Sequence, residues 1–297
     1  MLTFRAPAKL NLQLSVGRRR SDGMHPLVSV MQSIDLYDEV TVAPAEDFTC
    51  TVEPAGAAPS DSSNLAVRAA RAFAALHFED DAAVAVSLLK RIPSQAGLGG
   101  GSADAAAVLV ALNEATGGTV SRKALERIGA TLGSDVPFCV RGGTAVVTGT
   151  GEQVTSIPCP TPLHWVLGIP AVGCSTAGVY AWFDELGGGA DLDLRGAPHE
   201  MADALSRGDI GRVAGLVSND LEEAACALEP SLKAGRDALE AAGATKVVLS
   251  GSGSAWAGLC LDGDQAGDVA AKAEASGDFT RVVLARSVPQ GPTVLDG

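Results

Sequence analysis

The chain has 297 residues, of which 46% are hydrophobic, 19% charged and 4% aromatic. That composition excludes a disordered chain and suits one or two globular domains with cores of small aliphatic side chains. A net charge of −13, from 22 basic and 35 acidic residues, argues against nucleic acid or an anionic membrane as partner, because both reward basic faces.

A small polyphosphate ligand stays compatible with that charge, since backbone N–H groups and one or two Lys or Arg supply the local field it needs. The six cysteines (Cys50, Cys139, Cys159, Cys174, Cys226, Cys260) contain no C-x-x-C pair. They read as free buried thiols of a reducing compartment. The start, Met1 to Pro7, lacks the apolar stretch of a signal peptide, and no run is long enough to span a bilayer. A cytoplasmic protein is expected, either a monomer or a weak homodimer.

From the start, Leu10, Leu12, Leu14 and Val16 alternate with Lys9, Asn11 and Gln13, as in a strand with two faces. Glu39–Val42 and Phe48–Glu53 read as further strands. A helix is expected after Ser62-Ser63-Asn64, with Leu65, Ala69, Ala72, Phe73 and Leu76 inward. Val84, Val86 and Leu88 mark a strand that runs into a glycine-rich loop, followed by a helix from Ser102 to about Asn113. A helix over Arg122–Leu132, the turn Gly133-Ser134-Asp135 and a strand over Ala145–Thr148 come next.

Three prolines between Ile157 and Pro162 place a domain boundary, giving an N-terminal unit (1–157) and a C-terminal unit (158–297). The second unit reads as strand Trp165–Ile169, helices Gly178–Glu185, His199–Ser206 and Pro230–Ala242, strands Lys246–Leu249 and Ala255–Leu261, helix Asp264–Ser276 and strand Arg281–Ala285. With the helices taken as one layer this is β-α-β-β-α-β, the order of a ferredoxin-like sandwich. The fold class is α+β.

The glycine loop is Pro93-Ser94-Gln95-Ala96-Gly97-Leu98-Gly99-Gly100-Gly101-Ser102-Ala103. Its glycines let the N–H groups converge on an anion, and the helix that follows adds its positive end. A Walker loop is excluded because Ser102-Ala103, not Lys-Ser/Thr, follows the last glycine. A Rossmann fingerprint fails at Ser102, and protein-kinase signatures are absent. Asp135 enters an apolar stretch (Val136, Pro137, Phe138, Cys139) and needs a partner there. Lys9 is the basic residue available in Ala6–Val16. From these residues alone, Asp135 is either an acceptor for a substrate proton, a helix cap, or half of a buried ion pair.

The segment Pro93 to Ser102 resembles the phosphate loop of the GHMP kinases, named for galactokinase, homoserine, mevalonate and phosphomevalonate kinases. Pro7–Leu12, Gly17–Leu27, Gly133–Phe138, Asn219–Glu222 and Ser250–Ser254 follow in order and are similar to the branch that acts on a cytidine diphosphate-linked polyol. That resemblance implies an N-terminal domain like the second domain of ribosomal protein S5, a ferredoxin-like C-terminal domain, and an active site in the cleft between them. It implies ATP, with Mg2+ carried by the nucleotide and no metal ligand from the chain, and transfer of a phosphoryl group to a hydroxyl.

The resemblance also assigns roles. Pro93 to Ala103 bind ATP. Asp135 is the catalytic acid–base residue, and Lys9 orients it. Asn11, Met24, His25, Thr176 and Tyr180 bind substrate, with His25 hydrogen-bonding the cytosine and Tyr180 stacking on it. Met24 departs from the pattern, which has an aromatic there; a thioether can also pack on a ring. A homoserine- or mevalonate-type kinase is the alternative.

Overall fold

The computed structural model describes residues 1–77, 83–189, 192 and 198–295. The first half runs β1 (Leu2–Val16), β2 (Leu27–Ala45), β3 (Thr49–Glu53), α1 (Leu65–His77), β4 (Ala83–Leu89), α2 (Gly100–Ala115), α3 (Arg122–Ala130), α4 (Val136–Arg141), β5 (Thr144–Gly149) and β6 (Gln153–Ser156). The second half continues β7 (His164–Ile169), α5 (Thr176–Glu185), α6 (His199–Arg207), α7 (Ile210–Leu216), β8 (Ser218–Asn219), α8 (Glu222–Leu228), α9 (Leu232–Ala242), β9 (Lys246–Leu249), β10 (Trp256–Cys260), α10 (Gly263–Ser276), β11 (Arg281–Arg286) and β12 (Thr293–Val294).

The long β1–β2 antiparallel ladder is the spine of the first sheet, pairing Leu2 with Val42 at one end and Val16 with Leu27 at the other. Its register shifts between Pro7 and Ala8 and again between Asn11 and Gln13. Proline cannot donate to a ladder, so a break beside Pro7 is expected. The two shifts bracket Lys9 and Asn11, and bulges of this kind re-aim side chains. Helix α2 packs on this sheet and against α1 and α4. Every residue from Ala103 to Leu109 on it is buried, and its alanines let the neighbouring elements approach closely. Phe4, Leu10, Leu12, Leu98, Leu109 and Phe138 are fully buried, each contributing roughly 1.5–3 kcal/mol by removal from water.

The second sheet has the order β11-β7-β10-β9, with every neighbouring pair antiparallel. Numbered along the chain these strands are fourth, first, third and second. Together with α9 and α10 they form the ferredoxin-like sandwich expected from the sequence. Two short strands of the second half join the first sheet instead. β8 pairs parallel with β1 (Gln13 with Ser218, Leu14 with Asn219), and β12 pairs antiparallel with it (Phe4 with Val294).

Some local expectations change. Leu76 is exposed, because α1 turns Ala66, Ala69, Ala70, Phe73 and Ala74 to the core. Helix α2 starts at Gly100, two residues before Ser102, with Gly99 as its N-cap. Helices α7 and α8 and strands β6, β8 and β12 were not anticipated; all are short, and propensity signals are weak at that length.

Candidate active site

A cleft of about 1440 Å³ opens between the two halves. Its floor is the loop from Pro93 to Ser102, each residue of which lines it. The loop is sewn to the second half through its carbonyls. Gln95 O accepts from the N–H groups of Cys174 (3.2 Å) and Ser254 (3.1 Å), and Ala96 O accepts from Ala255 N–H (3.1 Å). Gly97 O accepts from the Ser250 hydroxyl (3.0 Å), and Leu98 O from the N–H of Lys9 (3.0 Å). With the carbonyls so engaged, the first amides of α2, which have no partner within a helix, are the groups left for an anion.

Gly97 and Gly99 sit at φ 72° and 71°, where glycine is favoured. Ala103 lies outside the cleft. Its methyl is fully buried and its N–H donates to Gly99 O at 2.9 Å, so neither faces the cleft.

Lys9 and Asp135 meet beside this loop. Lys9 Nζ lies 3.4 Å from Asp135 Oδ2, with the lysine side chain 5% exposed and the aspartate 30%. The ammonium also donates to Asn11 Oδ1 at 2.7 Å, and Asn11 Nδ2 donates to Ser29 Oγ at 2.9 Å. The Lys9 stem passes under Gly99, where a Cβ would stand 2.8 Å from Lys9 Cγ. Asp135 occupies the N-cap position of α4 but makes no side-chain cap hydrogen bond. Its carboxylate turns to Lys9, and the capping alternative is set aside. The arrangement holds a carboxylate, partly open to the cleft, next to a nearly buried ammonium group.

The cleft is also lined by Met24, His25, Thr176 and Tyr180. Their sequence neighbourhood explains the grouping: α5 presents Tyr180 and Asp184 one turn apart on the same face. His25 Nε2 lies 2.8 Å from Asp184 Oδ1, and the His25 and Tyr180 rings are 5.0 Å apart, tilted by 38°. An ionised carboxylate only accepts, so Nε2 carries the proton in this pair and a neutral ring presents Nδ1 as an acceptor. Burial, and then the charge of Asp135, push the Tyr180 hydroxyl up to about 12. Met24 is 45% exposed. Thr176 Oγ1 lies 2.9 Å from Ser252 Oγ, tying α5 to the glycine turn between β9 and β10. Of the three arginines Arg18–Arg20, Arg19 lines the cleft and stands 3.8 Å from Asp184. Arg20 pairs with Asp22 at 2.7 Å.

Several contributors have no role assigned from the sequence. Asp184 was hidden in an ordinary amphipathic helix, and its spacing from Tyr180 was the available signal. Asn219 donates to Leu249 O (2.8 Å) and Gly251 O (2.6 Å), so it fixes the turn that faces Lys9. Beneath the loop, Lys90 Nζ contacts the carboxylates of Asp38 and Asp104. Asp38 Oδ1 accepts from the N–H groups of Arg91 and Ile92 at 2.5 and 2.8 Å. Nothing in the local pattern shows that these three charges meet.

A phosphate loop at a helix start, an adjacent Lys–Asp pair and a two-sheet α+β frame define a small-molecule kinase. The model of the GHMP kinase N-terminal domain matches residues 64–143, and that of the C-terminal domain matches residues 201–278. The chain belongs to the GHMP kinase family. It is 43% identical to the 4-diphosphocytidyl-2-C-methyl-D-erythritol kinase of Streptomyces coelicolor over 99% of each chain. It is 39% identical to that of Mycobacterium tuberculosis, over 99% of this chain and 93% of that one. A crystal structure of 4-(cytidine 5'-diphospho)-2C-methyl-D-erythritol kinase matches with a TM-score of 0.76 and 35% identity, over 96% of this chain and 99% of that one. Homoserine kinase from Cytophaga hutchinsonii shares the fold, with a TM-score of 0.78 at 20% identity over 99% and 97% of the chains. Among the described residues no helix is long and apolar enough to cross a membrane.

Proposed function

We propose that this kinase phosphorylates the 2-hydroxyl of 4-diphosphocytidyl-2-C-methyl-D-erythritol with ATP, in the non-mevalonate route to isoprenoid precursors. The observation that carries the reading is the Lys9–Asp135 pair, 3.4 Å apart beside the phosphate loop, with an aromatic and histidine-lined recess in the same cleft. Relatives at about 40% identity over nearly the full chain carry that activity in their names, which favours it over a homoserine- or mevalonate-type kinase.

The triphosphate lies along Pro93–Ser102, its charge met by the amides at the start of α2 and by the helix dipole. Magnesium arrives with the nucleotide as part of that substrate. Among the described residues no group of three or more His, Cys, Asp or Glu is placed to hold a metal by itself. The substrate hydroxyl oxygen attacks the terminal phosphorus, the bond from that phosphorus to ADP breaks, and Asp135 takes the hydroxyl proton. Little covalent help is needed in such a transfer; positioning and charge do most of it. The Lys9 ammonium holds the Asp135 carboxylate in place beside the hydroxyl, with Asn11 steadying the ammonium.

Tyr180 stacks on the cytosine, Met24 covers the other side, and His25 Nδ1 accepts from the exocyclic amine. Thr176 borders the diphosphate. The units 1–157 and 158–297 act as two walls of the cleft, in a cytoplasmic monomer or weak homodimer. The test is a coupled ADP-release assay with the cytidylyl substrate beside homoserine and mevalonate. Turnover confined to the cytidylyl substrate is expected; faster turnover of either of the others overturns the assignment.

A further inference from the structure

Lys90, Asp38 and Asp104 form a buried cluster directly under the phosphate loop. Lys90 Nζ touches Asp38 Oδ2 and lies 2.5 Å from Asp104 Oδ2. All three residues are at most 8% exposed, and Asp104 is 1% exposed. The ammonium lies 3.4 Å from where a Cβ on Gly100, the first residue of α2, would stand. The cluster therefore joins β2, the end of β4 and the first turn of α2 at one point. It holds two carboxylates against one ammonium. Asp38 is fully satisfied by Lys90 and two backbone amides, whereas Asp104 Oδ1 is buried with no hydrogen-bond partner.

An uncompensated negative charge under a loop built to receive a polyanion works against that loop. We propose that the Asp38–Lys90–Asp104 cluster positions the phosphate loop and takes up a proton on Asp104 when a nucleotide's phosphates bind above it. This rests on the reading of the loop as the nucleotide site. Burial already pushes the Asp104 carboxyl up to about 7, with Asp38 adding to that effect and Lys90 opposing it. The neighbouring elements offer few other charges: Cys50 on β3 and Cys139 on α4 are thiols that themselves sense Asp104, both raised chiefly by burial. A phosphate anion at the α2 N-terminus favours the neutral acid further. With Asp104 protonated, the cluster is neutral and its Lys90 charge is shared by Asp38 alone.

The sign follows. Well below pH 7 the cluster is mostly neutral before binding and takes up little further proton. Above it, each nucleotide bound draws a proton, so affinity falls as pH rises. Titration calorimetry of MgADP at pH 7.5 in two buffers of different ionisation heat measures that proton directly on the unaltered chain. An uptake of about three-quarters of a proton is expected, with MgADP affinity about tenfold weaker at pH 8 than at pH 6. In Asp104→Asn the uptake vanishes and the affinity loses that pH dependence. MgADP binding with no uptake by the unaltered chain overturns the inference, as does an unchanged uptake in Asp104→Asn. Absence of MgADP binding altogether overturns the nucleotide site itself, a separate outcome.

Discussion

The carbonyl oxygen of Ser250 fills the space in which a Cβ on Gly97 would stand, 1.8 Å from it. Gly97 belongs to the phosphate loop and Ser250 to the turn after β9, so the two halves of the molecule meet backbone to backbone at the floor of the cleft. The Ser250 hydroxyl donates back to Gly97 O at 3.0 Å. Any side chain at 97 forces the halves apart, and the positive φ adds about 1–2 kcal/mol of strain. Gly97→Ala is expected to raise the KM for ATP at least tenfold and to lower the melting temperature. A variant with the parent's KM and melting temperature would show that the contact is not needed.

The pairing of Lys9 with Asp135 predicts an asymmetric kinetic signature. Asp135→Asn keeps the shape of the site and removes the proton acceptor, so kcat should fall by about 10²–10⁴, the usual contribution of a general base. The Kd of MgADP, measured apart from turnover, should stay within about threefold. Lys9→Met should lower kcat by a similar factor, because the two residues act as one unit and their effects do not add. If the double variant loses the product of the two single factors, the pair does not work as a unit.

The legibility of this molecule divides by the range of the signal. The glycine loop, the Gly-Ser-Asp turn and the strand alternation around Lys9 are local patterns, and each stands where the pattern implied. The ferredoxin-like order was readable because its strands and long helices are periodic. The attachment of β8 and β12 to β1 was not, since two-residue strands carry no period and their pairing is a tertiary choice. The same holds for the site. Lys9 and Asp135 could be proposed as partners because each is an unusual residue in its stretch. Lys90, Asp38 and Asp104 looked like ordinary charges beside a loop, just before a strand and on a helix; only the fold buries them together. The burial of Ala103, likewise, follows from the helix start at Gly100 rather than from its place in the motif.

The Asp184–His25 contact at 2.8 Å predicts a substrate-binding defect at a residue remote from phosphoryl transfer. Removing the carboxylate takes away the partner that holds Nε2, and the ring then has no fixed orientation for cytosine. A hydrogen bond involving a charged group contributes about 1.5–3 kcal/mol, so Asp184→Ala should raise the KM for the cytidylyl substrate by roughly 10- to 100-fold. The kcat should change far less. Asp184→Asn, which still offers a carbonyl oxygen to Nε2–H, should recover part of the loss. A fall confined to kcat would contradict the role given to His25.

Asp104 predicts how stability varies with pH in the absence of nucleotide. Its carboxyl is held up to about 7, chiefly by burial, against about 4 in an unfolded chain. A group whose folded value is raised stabilises fully below the unfolded value, and that contribution is lost as pH rises through the folded one. The window is therefore about pH 4 to 7. Between pH 5 and pH 8 the loss amounts to roughly 2–3 kcal/mol. Asn at 104 has no proton to lose, so Asp104→Asn should gain on the parent across that interval, by roughly 5 °C in melting temperature. The measurement is a pair of thermal melts at pH 5 and pH 8 on the nucleotide-free proteins. A gap between parent and variant that stays constant, or that narrows toward pH 8, would mean that Asp104 is ionised in the folded protein at both pH values and that Lys90 compensates both carboxylates.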